Sequence, residues 1–246
     1  MEIVVISEAD KEGIINKILE RKNELIRPKV VNIDQAVLCF TENSPDINLD
    51  LLDRLIVLCE SKNIDIIICI NKIDIADKNK VEEIKTAYEK IGYKVVLASA
   101  QEQKGISQLE ELLTDRVSVF AGLSGVGKSS LINEIIPTAN MEIGDISAKN
   151  KKGKHTTRHT QLFKGDKGTY IVDSPGFTSL FFENIKEIKA DNLGFYFKEF
   201  EPYLDDCKFG NCSHISEPSC AVREQVGTTI DKNRFDRYSS LLKELN

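Results

Sequence analysis

The run Gly122-Leu123-Ser124-Gly125-Val126-Gly127-Lys128-Ser129 has the residue types and spacing needed to hold a polyphosphate. It fits G-x-x-x-x-G-K-[ST], in which glycines let the backbone wrap a phosphate chain whose charge meets amide N–H groups and the positive end of the next helix. Lys128 is expected to reach the β- and γ-phosphates and the Ser129 hydroxyl to bind Mg²⁺, with Ser130 beside it.

Four further sets could complete a nucleotide site. Asn71-Lys72-Ile73-Asp74 is an N-K-x-D sequence. The Asp74 carboxylate can accept from both the ring N1–H and the exocyclic amine of guanine, whereas adenine offers a lone pair at N1 and would leave a charge unpaired. Asn71 would brace the nucleotide-binding loops and the Lys72 stem would cover the base. Ser99-Ala100 could present backbone N–H groups to guanine O6. Asp173-Ser174-Pro175-Gly176 is a D-x-P-G sequence in which Asp173 would hold Mg²⁺ through water and the Gly176 amide would sense the γ-phosphate. Between these, His155-Thr156-Thr157-Arg158-His159 offers a threonine hydroxyl, from Thr156 or Thr157, to complete the Mg²⁺ shell in a loop that responds to hydrolysis. Phe177 follows the D-x-P-G sequence; many GTPases place a water-orienting Gln there, so slow intrinsic turnover is expected, with His155 or His159 as substitutes for orienting water.

The elements that must position these residues can be read from apolar pattern. Ala36–Phe40, Asp65–Ile70, Lys94–Ala98, Val117–Ala121 and Gly168–Val172 read as buried strands. Leu49–Lys62, Val81–Ile91, Ile106–Leu113 and Ser130–Ile136 carry apolar residues at helical spacing. Alternating strand and helix is the signature of a mostly parallel sheet in an α/β domain, and the N-K-x-D and G-K-S sequences each follow a strand, where such sheets bind ligands.

Composition narrows the class. With 246 residues, 41% hydrophobic and 29% charged, the chain is an ordinary globular protein with room for a substantial core. No apolar run is long enough for a membrane span and no signal peptide is evident, which predicts a cytoplasmic protein with no membrane partner. The net charge of −6 does not advertise nucleic acid, yet Lys149, Lys151, Lys152, Lys154 and Arg158 cluster without an intervening acid. Cys39, Cys59 and Cys69 lie singly in apolar segments and read as reduced core residues. The other three cysteines form Cys207-x₄-Cys212-x-His214-x₅-Cys220, a Cys₃His set suited to one closed, tetrahedral structural zinc. Leu193, Phe197 and Phe200 before it, and Phe235, Tyr238, Leu242 and Leu245 after it, form helical packing stripes.

The nucleotide sequences occur in an unusual order. GTPases ordinarily start with the phosphate loop and end with the base motif; here the base motif comes first, so the chain is circularly permuted and D-x-P-G falls at the end of the GTPase region. Whatever follows is therefore expected to be tied to the moving part. With the zinc cluster, the entry 20–28 (ERKNELIRP), Asn32-Ile33-Asp34-Gln35, GLSGVGKSS, GKHTTRHT and DSPGF, the chain resembles the ribosome small subunit-dependent GTPase A family. The resemblance implies GTP and GDP as ligands, GTP hydrolysis stimulated by the small ribosomal subunit late in its maturation, contact with that subunit and its 16S rRNA, and an N-terminal OB barrel. That barrel needs five strands, usually about 70 residues or more. Residues 1–26 therefore read as its last portion, 27–182 as the permuted GTPase domain and 183–246 as a helical zinc-binding domain, in a monomer. A second reading is a GTP-responsive RNA-binding module with negligible turnover.

Overall fold

The computed structural model describes residues 4–5, 15–17, 20–25, 30–141, 161–173, 185 and 187–246. Four short strands come first: β1 (Val4–Val5), β2 (Ile15–Lys17), β3 (Glu24–Leu25) and β4 (Val30–Val31), paired antiparallel as β1 with β2 and β3 with β4. Then follow β5 (Gln35–Thr41), α1 (Leu49–Ser61), β6 (Asp65–Asn71), α2 (Lys78–Ile91), β7 (Lys94–Leu97), α3 (Ile106–Leu113), β8 (Val117–Ala121), α4 (Lys128–Ile135), β9 (Gln161–Lys164) and β10 (Tyr170–Asp173).

Strands β5 to β10 make one six-stranded sheet in the order β7-β6-β5-β8-β10-β9. All pairs are parallel except β10 with β9. The period of two along a strand divides the core between two faces. In β5, Ala36, Leu38 and Phe40 join a cluster with Leu52, Leu55 and Ile56 of α1 and Val81 and Tyr88 of α2. Val37 and Cys39 point the other way, to Leu109 and Leu113 of α3 and Leu131 and Ile132 of α4. The predicted strands and helices all form, with ends shifted by a few residues. β9 is the addition: four residues, three of them exposed, gave no buried run to find.

Local chemistry sets the ends. Asn48 caps α1 by accepting from the Leu51 amide at 2.9 Å, and Asp77 caps α2 at the Asn79 amide, also at 2.9 Å. β5 lies between β6 and β8 and the strands β7, β6, β5, β8 and β10 are all parallel, which brings their carboxyl ends to one edge.

The C-terminal region is built differently. Ala190–Tyr196 and Lys198–Asp206 are 3-10 helices, the second containing Pro202, followed by α5 (Ala221–Glu224) and α6 (Lys232–Leu245). Leu193, Phe197 and Phe200 were expected to face a core and do, but on 3-10 turns. Their cluster includes Tyr238, Leu241 and Leu242 of α6 and one residue of the sheet region, Val57 of α1. Helix α1 also carries the ionic seat of this region. Asp53, 2% exposed, accepts from the Tyr88 hydroxyl at 2.7 Å and from the guanidinium groups of Arg234 and Arg237, while Arg234 also donates to Glu199. At the next residue, Arg54 makes a two-pronged pair with Glu244 at 2.6 and 2.8 Å. Burial opposes the Arg234 charge, but Asp53 and Glu199 outweigh it and its pKa is raised. The guanidinium also packs on the Phe197 and Tyr88 rings, 5.0 and 5.3 Å from their centroids.

Candidate functional site: a nucleotide pocket and a thiolate–imidazole cluster

The phosphate loop leaves β8 at Ala121 and enters α4 at Lys128. The cap of α4 is Gly127, at φ +88°, which has no side chain to bond the first amides of the helix, an arrangement suited to an anion. A Cβ on Gly127 would lie 2.4 Å from Asn71 Nδ2, so glycine is required both for the backbone turn and for the approach of the base motif. Lys128 Nζ donates to the carbonyls of Gly122 and Leu123 at 2.8 and 2.9 Å, inside the loop that a polyphosphate would share. Burial lowers its pKa, with Cys39 and Asp173 acting in the opposite direction. Asp173 ends β10, the strand beside β8, and its charge acts on the lysine.

The base motif ends β6. Asn71, 1% exposed, donates from Nδ2 to the Val126 carbonyl at 2.9 Å and accepts at Oδ1 from the Ala100 amide at 3.3 Å. One side chain therefore joins three of the loops picked out in the sequence. Asp74 accepts at Oδ1 from the Ser99 hydroxyl at 2.6 Å, and that hydroxyl in turn accepts from the Glu102 amide at 3.1 Å. Ser99 acts through its side chain, fixing the carboxylate. Its own amide donates to the Lys104 carbonyl at 3.0 Å, and the Ala100 amide is held by Asn71, so the pair of backbone donors expected for guanine O6 is engaged within the protein. Lys72, at φ +61°, reaches the Ser44 carbonyl at 2.8 Å. His155, Thr156, Thr157, His159, Gly176, Phe177 and the basic run 149–158 lie outside the described residues.

Cys207, Cys212, His214 and Cys220 converge as predicted, with their ligand atoms all within 4.8 Å of one another. A tetrahedron with metal–sulfur bonds of about 2.3 Å and metal–nitrogen bonds of about 2.0 Å has edges near 3.8 and 3.5 Å. The Cys207–Cys220 sulfur separation is 3.9 Å, and His214 Nδ1 lies 3.4 Å from Cys220 and 3.7 Å from Cys207. The donor set fits a metal ion. Burial pushes the Cys212 thiol up to about 12 and lowers the His214 pKa, so the neutral imidazole a metal needs is favoured while Cys212 depends on a cation for deprotonation.

A family model described as RsgA GTPase matches residues 18–183. A relative from Alkaliphilus metalliredigens named small ribosomal subunit biogenesis GTPase RsgA is 42% identical over 246 residues, covering 100% of this chain and 83% of its own length. The chain belongs to the RsgA GTPase family. Solved structures agree with the fold. YloQ, described as a circularly permuted GTPase, has a TM-score of 0.79 at 37% identity, over 99% of this chain and 78% of that one. YjeQ from Thermotoga maritima has a TM-score of 0.81 at 38% identity, over 95% of this chain and 78% of that one.

Sequence reasoning missed one residue of the metal knuckle in this RsgA-family chain. Glu217 accepts from the amides of Ser213, Ile215 and Ser216 and from the Ser213 hydroxyl, tying the loop between Cys212 and Cys220. Burial works against its charge, yet the Ser213 and backbone donors bring its pKa down to about 2. A single acid between ligands carries no local pattern, and only its position inside the ligand loop could have drawn notice.

Proposed function

We propose that this chain hydrolyses GTP, with Mg²⁺, as a switch in late maturation of the small ribosomal subunit, and that the subunit stimulates hydrolysis. The observation that supports the reading is the pair of hydrogen bonds from Asn71 Nδ2 to the Val126 carbonyl and from the Ala100 amide to Asn71 Oδ1, which ties the Asn71–Asp74 loop to the loop that precedes α4. The naming of its relatives as small ribosomal subunit biogenesis GTPases supplies the process.

Lys128 exchanges its two carbonyl partners for the β- and γ-phosphates, and the uncapped amides of α4 take the phosphate oxygens. Asp74, held by Ser99, reads the two donors of guanine, while the Lys72 stem covers the ring. Ser129 and Asp173 are the residues that would hold Mg²⁺, which when bound neutralises phosphate charge. Thr156 or Thr157 closes on the γ-phosphate and the Gly176 amide senses it. His155 or His159 orients water in the place where Phe177 cannot, so turnover is slow until the subunit arranges the loop. Zinc in the Cys₃His cluster fixes the C-terminal knuckle, and that region with the basic run 149–158 contacts 16S rRNA. Residues 27–182 form the GTPase domain, 183–246 the zinc domain and 1–26 part of an OB barrel, in a cytoplasmic monomer. Among the described residues no helix is long and apolar enough to cross a membrane. The test is GTP turnover by the purified chain with and without purified small subunits: strong stimulation is expected, and none would overturn the reading.

A further inference from the structure

The turn between β5 and α1 touches the nucleotide site from a side that none of the phosphate-loop or base motifs occupies. It is closed internally by the Ile47 amide on the Glu42 carbonyl at 3.2 Å and by the Thr41 hydroxyl on the Pro45 carbonyl at 2.6 Å. Three contacts leave it. The Ser44 carbonyl takes the Lys72 ammonium at 2.8 Å. Pro45 packs beside the phosphate loop, its Cδ 3.8 Å from where a Cβ on Gly125 would stand. Glu42, 9% exposed, accepts from the Asp77 amide at 3.2 Å and from Lys80 Nζ, also at 3.2 Å.

These contacts bracket the base motif. Lys72 sits in a left-handed conformation costly for a side-chain-bearing residue, so it needs an outside partner to hold it, and the Ser44 carbonyl is that partner. Asp77 follows Asp74 by three residues, so the Glu42 bond pins the far end of the loop whose near end Asn71 holds. A buried carboxylate bound to a backbone amide and an ammonium is a fixed anchor, since removing it leaves the amide without its acceptor.

We propose that the 42–47 turn is a clamp that positions Lys72 and the Asp74 loop for the guanine base, with Glu42 as its anchoring, positioning residue. The inference rests on the reading of Asn71–Asp74 as the guanine site. Because the clamp acts at the base end, its loss weakens GDP and GTP alike and raises KM with kcat at saturating GTP unchanged.

The experiment is titration of GDP, ADP and a non-hydrolysed GTP analogue against the full chain, wild type, Glu42→Ala and Glu42→Gln, with Asp74→Asn beside them. Glu42→Ala is expected to raise both dissociation constants by about tenfold, the scale of a lost hydrogen bond to a charged group. Glu42→Gln keeps an acceptor for the Asp77 amide and is expected to lose about threefold, so it carries the test if the alanine variant does not fold. Wild-type affinity in a folded Glu42 variant, or a loss confined to the GTP analogue, overturns the clamp. If Asp74→Asn keeps full preference for guanine over adenine, the base reading itself fails; if it loses that preference while the Glu42 variants bind normally, the clamp alone fails.

Discussion

All seven residues of β5 are buried among neighbouring strands and helices, whereas the stretch from Ala190 to Asp206 holds its shape with two 3-10 helices, an aromatic cluster and a thiolate–imidazole knuckle. The sheet region has two apolar faces, and burial of aliphatic side chains on both is enough to set where its loops emerge. The C-terminal region has one cluster, partly borrowed from α1, in which the Phe197 and Phe200 rings stack at 5.3 Å and Tyr238 meets both edge-to-face at 4.9 and 5.0 Å. A core of that size is marginal, and beside it stand a buried ionic seat and a Cys₃His set able to hold a metal ion. The difference teaches that stability of the nucleotide site and stability of the output region can be moved separately.

Stripping the metal is the strongest way to break the comparison. Structural zinc of this kind contributes roughly 10–16 kcal/mol, so a chelator is expected to abolish the ellipticity of the C-terminal helix while GDP affinity, measured by fluorescence titration, stays within about twofold. Joint loss of both would mean that the two regions share one stability. Next in size is Arg234→Met, which leaves Glu199 buried without its guanidinium partner and Asp53 with Arg237 alone; denaturant unfolding should show a loss of about 3–5 kcal/mol. Lys128→Ala sharpens the comparison from the other side: nucleotide affinity should fall about a hundredfold, with the unfolding midpoint of the C-terminal region unmoved. Asp74→Asn should reduce guanine-over-adenine preference by about tenfold or more in competition binding, with no change in metal content.

The smallest effect concerns pH. The Glu217 carboxyl, ordinarily near 4.5, sits at about 2 when folded, so its contribution is fully present above 4.5 and is lost as pH falls through 2. Thermal unfolding of wild type and Glu217→Gln, followed from pH 6 downward, should therefore converge towards the acid limit. A constant difference across that range would remove the carboxylate from the account.

Much of the sheet was legible because fully buried strands appear as aliphatic runs such as Asp65–Asn71, and the site because glycine, lysine and carboxylate positions are fixed by phosphate and base chemistry. β9 was not, since an edge strand with three exposed residues has no such run. The 3-10 character of 190–206 was hidden because Leu193, Phe197 and Phe200 are spaced as on an α-helix. Asp53 and Arg234 lie on different helices far apart in the chain, and each reads locally as a charge on an ordinary amphipathic surface. Glu42 and Glu217 escaped for the same reason: their partners are backbone amides, which no side-chain pattern announces.

Helix α1 gives the permuted order a consequence. By sequence, the C-terminal region follows the D-x-P-G segment, yet its seat is Asp53, Arg54 and Val57, on a helix that begins just after the 42–47 turn. The backbone link and the docking site are therefore different parts of the GTPase. A chain nicked by protease between residues 174 and 184 would then behave as a two-piece complex, its fragments leaving a sizing column together and parting once Arg234 is replaced.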